Sequence, residues 1–244
     1  MRRAERAARI LERLVADYPE PKCALRHRSA FQLLCATILS AQCTDGRVNM
    51  VTPALFKRFG TPRALAAADP AEVEAIIRST GFYRNKTKSL IRAATRMQEA
   101  YGGRVPDTME DLLTLPGVAR KTANVVLGTW FGKNVGVVVD THVGRLSLRM
   151  GLTRNTDPWK VETDLMKLFP REEWTNLSHR MILHGRAVCA ALTPRCDDCS
   201  LGAALCPSYE PDLARWRKQA KRGKAKSART ATGSRSSNRK AARK

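Results

Sequence analysis

Residues 114–126 read TLPGVARKTANVV and carry an amine in an unusual place. A Leu-Pro-Gly turn leads into a run with apolar residues at 118, 123, 126 and 127, one helical face, so a tight turn feeding a buried helix is predicted. Lys121 falls in the first turn of that helix, where the helix dipole disfavours a cation. A free lysine, with pKa about 10.4, is almost wholly protonated at neutral pH, and only the neutral amine can attack carbon. A helix N-terminus, partial desolvation and neighbouring cations such as Arg120 all favour that neutral form. Nineteen residues on, Asp140 precedes Thr-His-Val, well placed to cap the next helix; near Lys121, its carboxylate would act the other way and favour the protonated amine.

A second set of reactive side chains lies downstream. Cys189, Cys196, Cys199 and Cys206 form Cys-x6-Cys-x2-Cys-x6-Cys in CAALTPRCDDCSLGAALCP. Four thiolates so close in sequence can close a tetrahedral sulfur shell around zinc or a [4Fe-4S] cluster. Zinc modules commonly use two short knuckles, and only Cys196 and Cys199 form one here, so the two wide loops suit the larger cubane better. With four protein ligands no iron is left open for substrate, and a structural role is expected. Cys23, Cys35 and Cys43 are scattered among apolar residues and read as ordinary buried thiols.

These groups need a scaffold, and the pattern is helical almost throughout. Apolar residues recur at helical spacing at Ile10, Leu11 and Leu14, at Leu33, Leu34, Ile38 and Leu39, and at Leu90, Ile91 and Ala94. Asp69-Pro70 and Asp157-Pro158 read as helix starts and Gly81 as a stop, giving about ten helices. VGVVVD at 135–140 is the one strand-like run and is expected to be an extended crossing segment near a domain boundary. The layout of helix, Leu-Pro-Gly-Val-Ala, helix is that of a helix-hairpin-helix near 109–131. Gly117 lets the backbone turn and approach a phosphate, and the unpaired N–H groups of the next helix bind the anion, which positions a nucleic acid without reading its sequence.

Composition points to the same partner. The 244 residues carry 44 Lys and Arg against 22 Asp and Glu, a net +22 that suggests a polyanion. The stretch 211–244 supplies +12 of this and leaves +10 on the rest, so the body is basic without its tail. That tail lacks apolar periodicity and is expected to be disordered, a nonspecific tether to DNA or a solubilising extension. No apolar run approaches the roughly 20 residues of a membrane span, and the first residues lack a signal-peptide core, so an intracellular, cytoplasmic location near the bacterial nucleoid is expected.

LPGVARKTANVV, VDTH, the four-cysteine loop, ILSAQCTD at 38–45 and GFYRNK at 81–86 together closely resemble the endonuclease III family of DNA glycosylases, over about residues 5–210. The resemblance implies an all-α fold of two domains: a six-helix barrel at 23–133, and a [4Fe-4S] cluster domain of 1–22 plus 134–210, with the DNA cleft between them. It implies a monomeric, bifunctional glycosylase and abasic-site lyase that removes oxidised pyrimidines from duplex DNA in base excision repair. Lys121 would be the nucleophile, attacking C1′ of a flipped nucleotide and forming a Schiff base that allows β-elimination. Asp140 would stabilise the positive sugar or assist proton transfer. Gln42 and Phe82 match the positions whose side chains enter the helix, the amide facing the orphaned base and the ring wedging into the stack. The hairpin backbone at Gly117 and Ala119, Arg145 at the active-site wall and Arg195 in the cysteine loop would contact DNA. The four cysteines would hold the cluster.

The chain departs from that pattern at four points. Ala119 stands where glycine is common, which needs a negative φ there; Phe82 replaces an aliphatic wedge; the last cysteine spacing is six where five is expected; and Arg195 is the one basic residue between Cys189 and Cys196. Two other readings compete. A noncatalytic DNA-binding protein would have no need of Lys121 with Asp140. The adenine glycosylase branch lacks the hairpin lysine and carries a glutamate before the Gln motif, whereas FQLLCATILSAQ contains no acid.

Overall fold

The computed structural model describes residues 1–211, 214 and 215; the rest of the basic tail at 211–244 lies outside the described residues. The fold is all-helical, with twelve α-helices and no strand among the described residues. VGVVVD is irregular, and Val138 N donates to Ser178 Oγ at 2.9 Å in place of a ladder partner. The chain forms two compact units, one of Glu20–Val139 with Leu165–His179, the other of Met1–Pro19, Asp140–Asp164 and the described residues from Arg180 onward.

The first unit is built around α2 (Ala30–Leu39), in which every residue but Ala30 and Gln32 is buried. A helix apolar on all sides belongs in the middle of a core. It packs against α3 (Asp45–Arg58), α6 (Tyr83–Tyr101) and α8 (Arg120–Thr129), while α4 (Pro62–Ala66) and α5 (Pro70–Ile77) cover α6, and α7 (Met109–Leu113) pairs with α8. The starts are chemically marked. Ser29, Thr44, Thr61, Asp69 and Thr108 each accept a backbone N–H from the first turn they precede, and proline opens α4 and α5, where its missing N–H is not needed. Residues 165–179 join this unit through Asn134: its Oδ1 accepts Thr175 N at 3.1 Å and its carbonyl accepts Arg171 Nε at 2.8 Å. Of the scattered cysteines Cys35 is buried, whereas Cys23 and Cys43 are only half-buried.

In the second unit α1 (Arg3–Asp17) buries Ala7, Ile10 and Leu14, one helical stripe, and packs on α12 (Gly202–Leu205). α9 (Thr141–Arg149) buries Val143, Leu146 and Ser147. α10 (Pro158–Leu168) and α11 (Trp174–Ala187) each give residues to both units. Arg180, buried in α11, donates Nε to the Tyr18 carbonyl at 3.1 Å and so fixes the end of α1.

Candidate active site and metal centre

The expected site residues fall into two groups, one in each unit. In the helical body, α7, the turn at 114–119 and α8 make the hairpin. Gly117 has φ +82°, and a Cβ there would lie 2.6 Å from Ser89 Cβ, so both the left-handed turn and the approach to α6 require glycine. Ala119 has φ −99°, the negative value that lets alanine stand in place of glycine. Ala119, the N-cap of α8, offers no side-chain oxygen to the first turn, and a helix start of this kind can receive an anion.

Lys121 is the second residue of α8 and is exposed; the buried stripe of this helix is Ala123, Asn124, Val126 and Leu127. The partial desolvation expected for this amine is therefore not supplied by burial in its own fold.

Gln42 and Phe82 share a feature that no periodicity signalled. They are the two non-glycine residues with positive φ among the described residues, at 51° and 47°. Such conformations cost on the order of 1–3 kcal/mol each and persist where the surroundings over-determine them. Both side chains are exposed, and Phe82 keeps 64% of its surface. Between the segments that carry them lies Lys86, whose place in GFYRNK gave it no evident role. Its ammonium is buried and donates to Leu39 O at 2.9 Å and Thr80 O at 2.8 Å. A signal was available, because Lys86 lies on the buried stripe of α6 with Leu90, Ala93, Ala94 and Met97.

In the second unit Asp140 is the N-cap of α9, with Oδ1 accepting His142 N and Val143 N, both at 2.8 Å. Oδ2 takes no hydrogen bond among the described residues, so capping leaves one carboxylate oxygen available. Arg145 makes its hydrogen bonds within this unit. Its Nη2 donates to the carbonyls of Cys189 (2.9 Å) and Gly185 (3.2 Å) and meets His142 Nδ1 at 3.2 Å, so it ties α9 to the cysteine loop. Gly185 is what lets it approach, since a Cβ there would lie 2.9 Å from His142 Nδ1 and 3.0 Å from Arg145 Nη2. Arg195 donates Nη2 to the Ala187 carbonyl and pairs Nη1 with Asp198 at 3.7 Å, and its side chain remains half-exposed.

Cys189, Cys196, Cys199 and Cys206 line one cavity together with Met150, Val188 and Leu201. Burial pushes the Cys206 thiol up to about 12, and the negative charge of the other three adds to the rise. Cys199 is raised for the same first reason. Four thiolates in this space repel one another unless positive charge sits among them, and that is the requirement iron or zinc satisfies. Hydrogen bonds already converge on the sulfurs: Arg149 Nη1 donates to Cys189 Sγ at 3.3 Å, and His184 Nε2 lies 3.6 Å from Cys199 Sγ with its Nδ1 3.4 Å from the Tyr18 hydroxyl. Among the described residues no three His, Cys, Asp or Glu side chains gather as a single-ion site. The residues fit a sulfur-ligated group set in a shared cavity. Arg149 and His184 carry no signal in the sequence, because a partner 40 or 15 residues away leaves no local pattern.

Comparison with known proteins gives a consistent picture. The HhH-GPD superfamily of base excision DNA repair proteins matches residues 35–171. Endonuclease III from Synechocystis sp. is 57% identical over 206 residues, covering 84% of this chain and 94% of that protein. Endonuclease III from Bacillus subtilis is 43% identical, over 80% of this chain and 89% of its own. A solved trapped endonuclease III–DNA covalent intermediate superposes with a TM-score of 0.83 at 41% identity, covering 87% of this chain and all of that one.

Proposed function

Because the chain belongs to the endonuclease III family of the HhH-GPD superfamily and is a DNA glycosylase of base excision repair, we propose that it is bifunctional, removing oxidised pyrimidines from duplex DNA and then cleaving the abasic strand. The observation that carries this is the placement of Lys121: an exposed amine on the second residue of an uncapped helix, directly behind a left-handed Gly117 turn. The N–H groups there bind a phosphate, and so bring the adjacent sugar to the amine. That a relative 41% identical was trapped covalently on DNA supports the same route.

In this reading the lone pair of Lys121 Nζ forms a bond to C1′ while the C1′–base bond breaks, and the base departs with that electron pair and takes up a proton. The adduct nitrogen gives up one proton, and its lone pair then forms the C1′=N bond as the C1′–O4′ bond breaks and O4′ takes up a proton, which gives a protonated Schiff base. Removal of a 2′ proton, made acidic by the adjacent iminium, then forms a C2′=C3′ bond as the C3′–O bond breaks and the 3′ phosphate leaves. The duplex covering an exposed Lys121 supplies the desolvation that favours its neutral form. Asp140 Oδ2 is the free oxygen for the positive sugar or for the proton. Gln42 and Phe82 fill the space left by the extruded nucleotide, and the hairpin and the basic body hold the backbone. Cys189, Cys196, Cys199 and Cys206 would hold a [4Fe-4S] cluster, whose contribution would be structural. The protein acts on DNA as a monomer.

The test is product chemistry on matched duplexes. A duplex with an oxidised thymine is expected to yield a β-elimination product and, with borohydride, a covalent protein–DNA adduct, whereas an undamaged duplex and an adenine mispair yield neither. Base release with an intact strand and no adduct on any lesion would show a monofunctional enzyme instead. For the metal, iron and acid-labile sulfide in equal amounts in a brown, anaerobically prepared protein are the expected result, and a colourless protein carrying zinc would overturn the cluster.

A further inference from the structure

We infer that Lys86 is a positioning residue that locks the loops bearing Gln42 and Phe82 into one rigid unit, so that both side chains enter the duplex together; this rests on the reading above that they do enter it. Leu39 is the last residue of α2, and Thr80 closes the 3-10 turn Arg78–Thr80. Carbonyls at such ends have no partner in their own helix, and a cation is favoured there by the dipole. Lys86 Nζ donates to Leu39 O at 2.9 Å and to Thr80 O at 2.8 Å from a side chain only 5% exposed. Gln42 lies three residues beyond the first of these carbonyls and Phe82 two beyond the second. Both are in the left-handed region, and no other non-glycine among the described residues is.

A single ammonium thus holds the bases of two separately strained, outward-facing loops. Neither can relax or move apart from the other without leaving a buried charge or a buried carbonyl unpaired. Lysine suits the task better than a neutral donor, having three N–H groups on a long stem and no acceptor. The burial that creates this bridge also holds the Lys86 amine below its usual value, although the nearby Cys43 opposes that shift. The device prearranges the pair before DNA arrives, so its effect belongs to the opening of a paired duplex and not to bond breaking at C1′.

The experiment compares single-turnover base removal from a fully paired duplex with removal of the same lesion from an unpaired bubble. Lys86→Met keeps the stem and removes the charge. It is expected to slow the paired substrate by about tenfold or more and the bubble by no more than about threefold, as loss of an opening function requires. Added to Gln42→Ala/Phe82→Ala, it should cause little further loss, because the coupling is through those two residues. Equal slowing on both substrates, or a full additive loss in the triple variant, would overturn the inference while leaving the insertion reading intact. If Gln42→Ala/Phe82→Ala itself leaves the paired-to-bubble ratio unchanged, the insertion reading fails and the inference with it. Lys86→Gln, whose shorter amide reaches at most one carbonyl, serves the same comparison if the Met variant does not fold.

Discussion

Lys121→Ala should fold, bind duplex DNA and fail to form any borohydride adduct, with base removal from an oxidised pyrimidine down by roughly 10³-fold or more, since the bond-forming group itself is gone. The stability expectation follows from exposure. Lys121 lies off the buried stripe of α8, and surface substitutions of this kind usually change stability by no more than about 0.5 kcal/mol. Affinity should fall only by what one lysine near a phosphate contributes, with a slightly shallower salt dependence. Lys121→Arg is the sharper control: it keeps a cation at the same helix start, but a guanidinium does not give up its proton, so adduct formation should be lost equally. An adduct that persists in either variant, checked by gel shift under denaturing conditions, would move the nucleophile elsewhere. A loss of DNA binding parallel to the loss of adduct would reduce Lys121 to a phosphate contact.

The same lysine shows how far the sequence reaches. The apolar spacing of α2, α6 and α8 predicted helices, and the Leu-Pro-Gly turn predicted the hairpin, because the hydrophobic period and turn chemistry are local properties of the chain. Lys121 stood out as a charge in a helix expected to be buried, yet its side chain lies on the exposed face. The lysine that does interrupt a buried stripe is Lys86, inconspicuous within GFYRNK. Its charge is compensated by two backbone carbonyls, one of them 47 residues away, and helical spacing carries no information about such partners. The left-handed backbone of Gln42 and Phe82 was equally hidden, since local propensity disfavours it in both residues. Arg145 differs in the opposite direction. From the sequence it was expected only as a DNA contact at the active-site wall, whereas the fold also ties it to the cysteine loop through the carbonyls of Gly185 and Cys189.

For Asp140 the substitution that separates its two possible roles is asparagine. As N-cap, Asp140 Oδ1 accepts from His142 N and Val143 N, and an amide oxygen can do the same, asparagine being as good a cap as aspartate. Asp140→Asn should therefore lose only the charge–dipole part of the cap, about 0.3–1 kcal/mol, whereas Asp140→Ala loses the cap as well, roughly a further 1 kcal/mol. Chemistry should not follow that order. If Oδ2 faces the positive sugar, both variants lose the charge that matters, and base removal should fall by about 10²-fold or more in each despite their different melting temperatures. The step affected can be isolated with a preformed abasic site, from which no base has to leave. There the borohydride adduct should form far more nearly at the wild-type rate, because no developing cation needs stabilising. An equal deficit on lesion and abasic duplexes would place Asp140 in proton transfer to or from Lys121. Activity that tracks stability, near normal in Asp140→Asn and reduced in Asp140→Ala, would leave it a helix cap alone.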